Sequence, residues 1–168
     1  EQISNPLNSD IRILFYKEYK IAELAKPMLQ ELLKLEIMED EIGYIALHVH
    51  SSIQDEKVTT SMQMAMIVRE CVTLIEEQVG RKIDILSLDY NRLMNHVKFM
   101  FARSVTGEVL KLDMNAYIKM TYPQAYEIAE VVCQHIGKAL NTTLAEVEIG
   151  YLAMHVQRAL MDETAETS

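Results

Sequence analysis

Five histidines carry most of the chemical potential of this chain, and their spacing sorts them. His48 and His155 each follow a glutamate, Glu41 and Glu148, by seven residues. Seven residues are about two helical turns, so each Glu–His pair shares one helix face. His96 sits in the middle of the segment RLMNHVKFMFAR. Imidazole, with a pKa near 6.5, is a nucleophile at neutral pH and can receive a phosphoryl group. A phosphorylated ring gains charge and strong acceptor oxygens, and so can bias a helical interface. Arg92, at i−4 from His96, and Arg103, at i+7, lie on its face and could meet such a phosphate. Arg158, at i+3 from His155, could do the same. On spacing alone, a bland reading stands beside this one: a helical scaffold whose histidines are surface or hydrogen-bonded core residues.

Other chemistries have little support. His48 and His50 project from different helix faces, and neither HExxH nor CxxC occurs, so no metal or other cofactor is expected. There is no GxSxG elbow and no Gly-rich phosphate loop. Cys71 and Cys133 lie in apolar helical patterns without a nearby basic residue and read as buried free thiols. No catalytic residue is assigned, and the chain does not read as an enzyme.

The elements that must position these histidines are helical. The chain has 168 residues and 49% hydrophobic content, which excludes a disordered chain. Twenty-five acidic residues against 16 basic give a net charge of −9, which argues against this chain itself gripping a nucleic-acid backbone. There is no 18-residue apolar run and no basic, apolar leader in EQISNPLNSD, so membrane insertion and secretion are not expected and the cytoplasm is.

The chain also repeats itself. Tyr19–Glu23 reads YKIAE and Tyr126–Glu130 reads YEIAE; Glu41–Val49 reads EIGYIALHV and Glu148–Val156 reads EIGYLAMHV. Both pairs share one offset, 107 residues (48 to 155). His50 matches Gln157, and His135 matches Met28, which sets these two histidines apart from the repeated pair. Hydrophobic periodicity predicts helices over 21–33, with Pro27 kinking or bounding the run, and over 59–79, ending at Gly80. Further helices are predicted over 87–104 from an N-cap at Ser87, near 110–120, over 124–140, and over 144–162 from a Thr143/Glu146 capping box. Ser51–Lys57 is the polar connection. The expected organisation is 1–54 as the back part of a first unit, 55–58 as linker, 59–162 as a complete second unit of about five helices, and 163–168 as a frayed tail.

The twice-repeated EIGY-[IL]-A-x-H-V segment and NRLMNHVKFMFAR resemble the regulation domains of the sugar phosphotransferase system (PTS) in bacterial antiterminators of the BglG/SacY type. ISNPLNSDIRILFYKEYKIAE also looks like the middle of such a domain. The resemblance spans essentially the whole chain. It implies an all-α protein of tandem five-helix bundles, the first one truncated. It implies that His48, His96 and His155 accept phosphate from the phosphocarrier protein HPr or a sugar-specific enzyme II. It implies that phosphorylation controls homodimerisation, and so RNA binding by an N-terminal domain absent here. The counterpart of His96 in the first unit would fall at position −11. The same domains also occur in DNA-binding transcriptional activators, which is the runner-up expectation. Two consequences follow: His96 and His155 should approach each other although 59 residues separate them (96 to 155), and His135 should have no phosphorylation role.

Overall fold

The computed structural model describes residues 3–161, and the tail assigned to 163–168 lies outside them. Eight helices make up the described chain: α1 (Asn8–Leu14), α2 (Tyr16–Leu33), α3 (Glu39–Gln54), α4 (Val58–Val79), α5 (Leu88–Thr106), α6 (Asn115–Thr121), α7 (Pro123–Leu140) and α8 (Val147–Met161). No strand occurs among the described residues. None of these helices is long and apolar enough to cross a membrane. The chain divides into two compact units, Glu1–Arg69 and Glu70–Ser168, and the division falls within α4.

The 107-residue offset governs helix ends as well as motifs. Asn8–Leu14 maps onto Asn115–Thr121, and Tyr16–Leu33 onto Pro123–Leu140. Even the left-handed residues that stop the longer helices correspond, Lys34 at φ 55° and Asn141 at φ 49°. Asparagine tolerates that conformation better than lysine does.

In the first unit, α2 and α3 pack together with α1 against both. Ile11, Phe15, Tyr19, Ala22, Ala46 and Leu47 form the buried core. Each large apolar side chain removed from water contributes roughly 1.5–3 kcal/mol. His50 is buried here: its Nδ1 lies 2.9 Å from Glu18 Oε1 and its Nε2 3.5 Å from Glu56 Oε1. In the second unit, α8 packs against α5, α6 and α7 and is the central helix. Leu93, Met94, Val97, Met100, Val132, Ile136, Leu152 and Val156 fill that core.

Three local expectations need correction. Of the two alternatives at Pro27, a kink or a boundary, the boundary does not hold, because helix α2 runs on through Pro27 and packs along α3. The short helix expected near 110–120 is Asn115–Thr121. The last helix starts at Val147, so Thr143 and Glu146 form no capping box. The Glu146 carbonyl instead accepts a hydrogen bond from Asn115 Nδ2 at 2.7 Å, and this tertiary contact fixes the loop in a non-helical path. Other ends follow the sequence: Ser87 Oγ accepts from the Tyr90 N–H at 3.0 Å, and Gly80 and Gly107 adopt φ 75° and 74°.

Candidate functional site

Helices α5 and α8 of the second unit bring His96 and His155 together. Their ring centroids are 4.6 Å apart, with the rings tilted by 33°. Tyr151, one turn before His155, lies parallel to the His96 ring at 6.5 Å. The apolar stripe of each helix explains the meeting. Leu93, Val97 and Met100 of α5 and Leu152 and Val156 of α8 are fully buried, and the histidines sit at the edge of that interface, each half-buried. The approach expected from the sequence is therefore present, well inside two helix diameters.

The pair is electrostatically unusual. Burial pushes the His96 pKa down to about 3, helped by the neighbouring His155 and by the charge of Arg103. The pKa of His155 is also lowered, first by burial, then by Arg158 and Arg92, against an opposing pull from Asp89. Both rings are thus neutral at neutral pH and carry an available lone pair. His96 Nε2 and His155 Nδ1 are sealed from solvent without a hydrogen-bond partner. All three arginines singled out in the sequence act on this pair: Arg103 on His96, Arg92 and Arg158 on His155.

The arginines differ in how they are held. Arg103 donates from Nε to Glu148 Oε1 at 2.6 Å and from Nη2 to Glu148 Oε2 at 2.8 Å. Glu148 is only 2% exposed, so this fork-to-fork pair ties the end of α5 to the start of α8. The Arg103 pKa is raised chiefly by that hydrogen bond, with burial opposing. Arg92 makes a looser bond, Nη1 to Asp89 Oδ1 at 3.1 Å, on an exposed face. Arg158 is exposed in the last turn of α8.

A contact the sequence reading missed anchors the same motif. The Gly150 N–H donates to Asn115 Oδ1 at 2.9 Å, while Asn115 Nδ2 donates to the Glu146 carbonyl. Asn115 Cα would stand 3.3 Å from a Cβ at position 150. The first unit repeats the arrangement: a Cβ at Gly43 would meet the Asn8 and Asn5 side chains, and Asn8 Nδ2 donates to the Glu39 carbonyl at 3.4 Å. The glycine of EIGY therefore admits an asparagine from the preceding short helix. The signal was in the sequence, since Asn8 and Asn115 share the 107-residue offset.

The other histidines stand elsewhere. His48 is exposed on α3. His50 is enclosed by Phe15, Glu18 and Glu56. His135 pairs with Glu70, Nε2 to Oε2 at 2.9 Å. Chemically, then, the second unit offers two desolvated neutral imidazoles in a field of three guanidinium groups, which suits acceptance of an anionic electrophile.

Comparison with known proteins gives consistent results. The PRD domain family matches residues 1–52 and 69–159. The chain is similar to a "GlcA/glcB genes antiterminator" of Staphylococcus carnosus, 31% identical over 156 residues, covering 92% of this chain and 54% of that protein. It is also similar to "Protein GlcT" of Staphylococcus saprophyticus, 31% identical over 156 residues, with 92% and 56% covered. "Protein GlcT" of Staphylococcus aureus is likewise 31% identical, with 92% and 55% covered. The chain spans about half the length of these curated relatives.

Proposed function

The chain belongs to the PRD domain family, and from that premise we propose that it is the phosphorylation-responsive part of a sugar-operon transcriptional antiterminator. The observation that carries this reading is the His96–His155 pair. Two neutral imidazoles 4.6 Å apart, under the charge of Arg92, Arg103 and Arg158, have the nucleophilicity and the positive surroundings that a phosphoryl acceptor needs. The names of the relatives support the antiterminator assignment.

In this reading, residues 1–54 are the C-terminal part of a first regulation domain, 55–58 a linker, and 59–162 a second domain. His48, His96 and His155 accept phosphate from HPr and a sugar-specific enzyme II, in the cytoplasm. The protein regulates rather than catalyses. RNA is bound by a domain outside this chain, and the phosphorylation state sets homodimerisation. The apolar surface left on α2 supports dimer formation: Ile21, Leu24, Met28 and Leu32 form a helical stripe, all exposed, with Leu24 at 81%.

Incubation with enzyme I, HPr and phosphoenolpyruvate tests the reading. Label should enter His48, His96 and His155 and not His135. His96→Asp and His155→Asp should shift the monomer–dimer balance in the ultracentrifuge while circular dichroism stays helical. Label confined to His50 or His135, or an unchanged oligomeric state in both folded variants, would overturn it.

A further inference from the structure

Each histidine has two ring nitrogens, and in this pair they are not equivalent. One nitrogen of each ring is sealed and unpartnered, but not the same one: Nε2 on His96 and Nδ1 on His155. The opposite nitrogens, His96 Nδ1 and His155 Nε2, are not among the sealed atoms. Both rings are only half-buried, so each has a covered edge and an open one.

Phosphoryl transfer between proteins demands an in-line approach to the attacking nitrogen. A phosphoryl group brings three oxygens and nearly two negative charges. On a sealed nitrogen it would have to displace the atoms that cover that nitrogen. It would also place that charge where solvent cannot reach it. On the open nitrogen it stays solvated and within the field of the surrounding arginines, Arg103 at His96 and Arg92 and Arg158 at His155.

We propose that the two histidines accept phosphate at different ring positions, His96 at Nδ1 and His155 at Nε2. The proposal rests on the phosphoacceptor reading above and adds the acceptor atom to it. The lone pair of the open nitrogen attacks the phosphorus of the donor's phosphohistidine. The new N–P bond forms as the donor's N–P bond breaks, and that electron pair returns to the donor ring. The acceptor keeps its single ring proton on the sealed nitrogen. A donor ring that already carries a proton on its far nitrogen leaves as neutral imidazole, so only the phosphoryl group changes rings.

The test is nuclear magnetic resonance of the chain carrying nitrogen-15 histidine, phosphorylated in one sample by enzyme I, HPr and phosphoenolpyruvate. A second sample is phosphorylated by phosphoramidate, which needs no protein donor. Long-range proton–nitrogen correlations distinguish the two phosphohistidine isomers. In a His48→Gln background, His155→Gln should retain only the Nδ1 isomer, on His96, and His96→Gln only the Nε2 isomer, on His155. The His48→Gln chain with both rings of the pair intact, each phosphohistidine assigned through its own ring and backbone resonances, should show both isomers, so the result does not depend on the pair's variants folding. The same isomer on both rings, or the reverse assignment, overturns the proposal and leaves the phosphoacceptor reading intact. Absence of label on both rings with either donor overturns that reading and the proposal with it. Label at the expected atoms from phosphoramidate alone supports the assigned nitrogens and removes HPr as donor.

Discussion

Acid should destabilise the second unit through His96, by an amount that follows from its surroundings. The ring is held neutral in the fold, with its pKa pushed down to about 3, against about 6.5 in an unfolded chain. Below pH 6.5 the unfolded chain binds a proton that the folded one refuses, so stability falls as pH falls. The loss starts near pH 6.5 and continues down to the folded value. Integrated to near pH 5, one such group removes about 2 kcal/mol. His155 has its pKa lowered in the same direction and adds to the loss. The perturbation is His96→Gln, which keeps a polar side chain of similar size and removes the titration. Urea unfolding followed by circular dichroism, at constant ionic strength near pH 7.5 and near pH 5, gives the two stabilities. The substitution itself changes stability, so the quantity compared is the change between the two pH values. The unsubstituted chain should lose about 2 kcal/mol more over that interval than His96→Gln. Equal losses in the two proteins would mean that His96 titrates in the fold as freely as in water. His96 would then not be a desolvated, neutral nucleophile.

Two further substitutions separate the copies of the repeated motif. Glu148→Gln breaks a buried, bidentate pair with Arg103 and should cost about 3 kcal/mol or more in unfolding free energy. Glu41→Gln disturbs only an exposed bond, Glu41 Oε2 accepting from the Met38 N–H at 2.7 Å, and should cost about 1 kcal/mol; equal costs would contradict the roles assigned to the two glutamates. Gly150→Ala drives a methyl group against Asn115, backbone included, and should cost about 1–3 kcal/mol. Gly43→Ala meets only the side chains of Asn8 and Asn5 and should cost less, as parallel denaturation curves would show.

Much of this architecture was legible in the sequence because the dominant signals were local. Apolar spacing placed the long helices, and Ser87 and Gly80 marked ends that depend on one residue's own preferences. The offset between the two EIGY segments supplied the pairing of helices, which no propensity could have given. The capping-box expectation failed through a tertiary partner that local spacing does not reveal. Thr143 and Glu146 have the spacing of a capping box, but Asn115, 31 residues away, holds the Glu146 carbonyl. Arg103 lies on the His96 face by count, yet spacing could not show that its guanidinium is gripped by Glu148, 45 residues further on. The same limit applied to His50, whose carboxylate partner Glu18 comes from a different helix.

The two copies of the EIGY segment stand in different surroundings among the described residues. His48 and His155 belong to almost identical segments, on helices that pack in the same way against their predecessors, α2 with α3 and α7 with α8. Yet His48 is exposed while His155 is half-buried against a second imidazole. The surrounding apolar positions differ in the same sense: Ile21 is 47% exposed and its counterpart Ile128 only 4%. In the second unit α5 brings Leu93 and Val97 to cover α8, Arg103 to neutralise Glu148, and His96 to stand beside His155. The EIGY segment supplies one half of the site, and the helix carrying His96 supplies the desolvation and the charge that make its chemistry accessible. In the proposed reading, a phosphate added there would meet both halves at once, at the contact between two helices rather than on the surface of one.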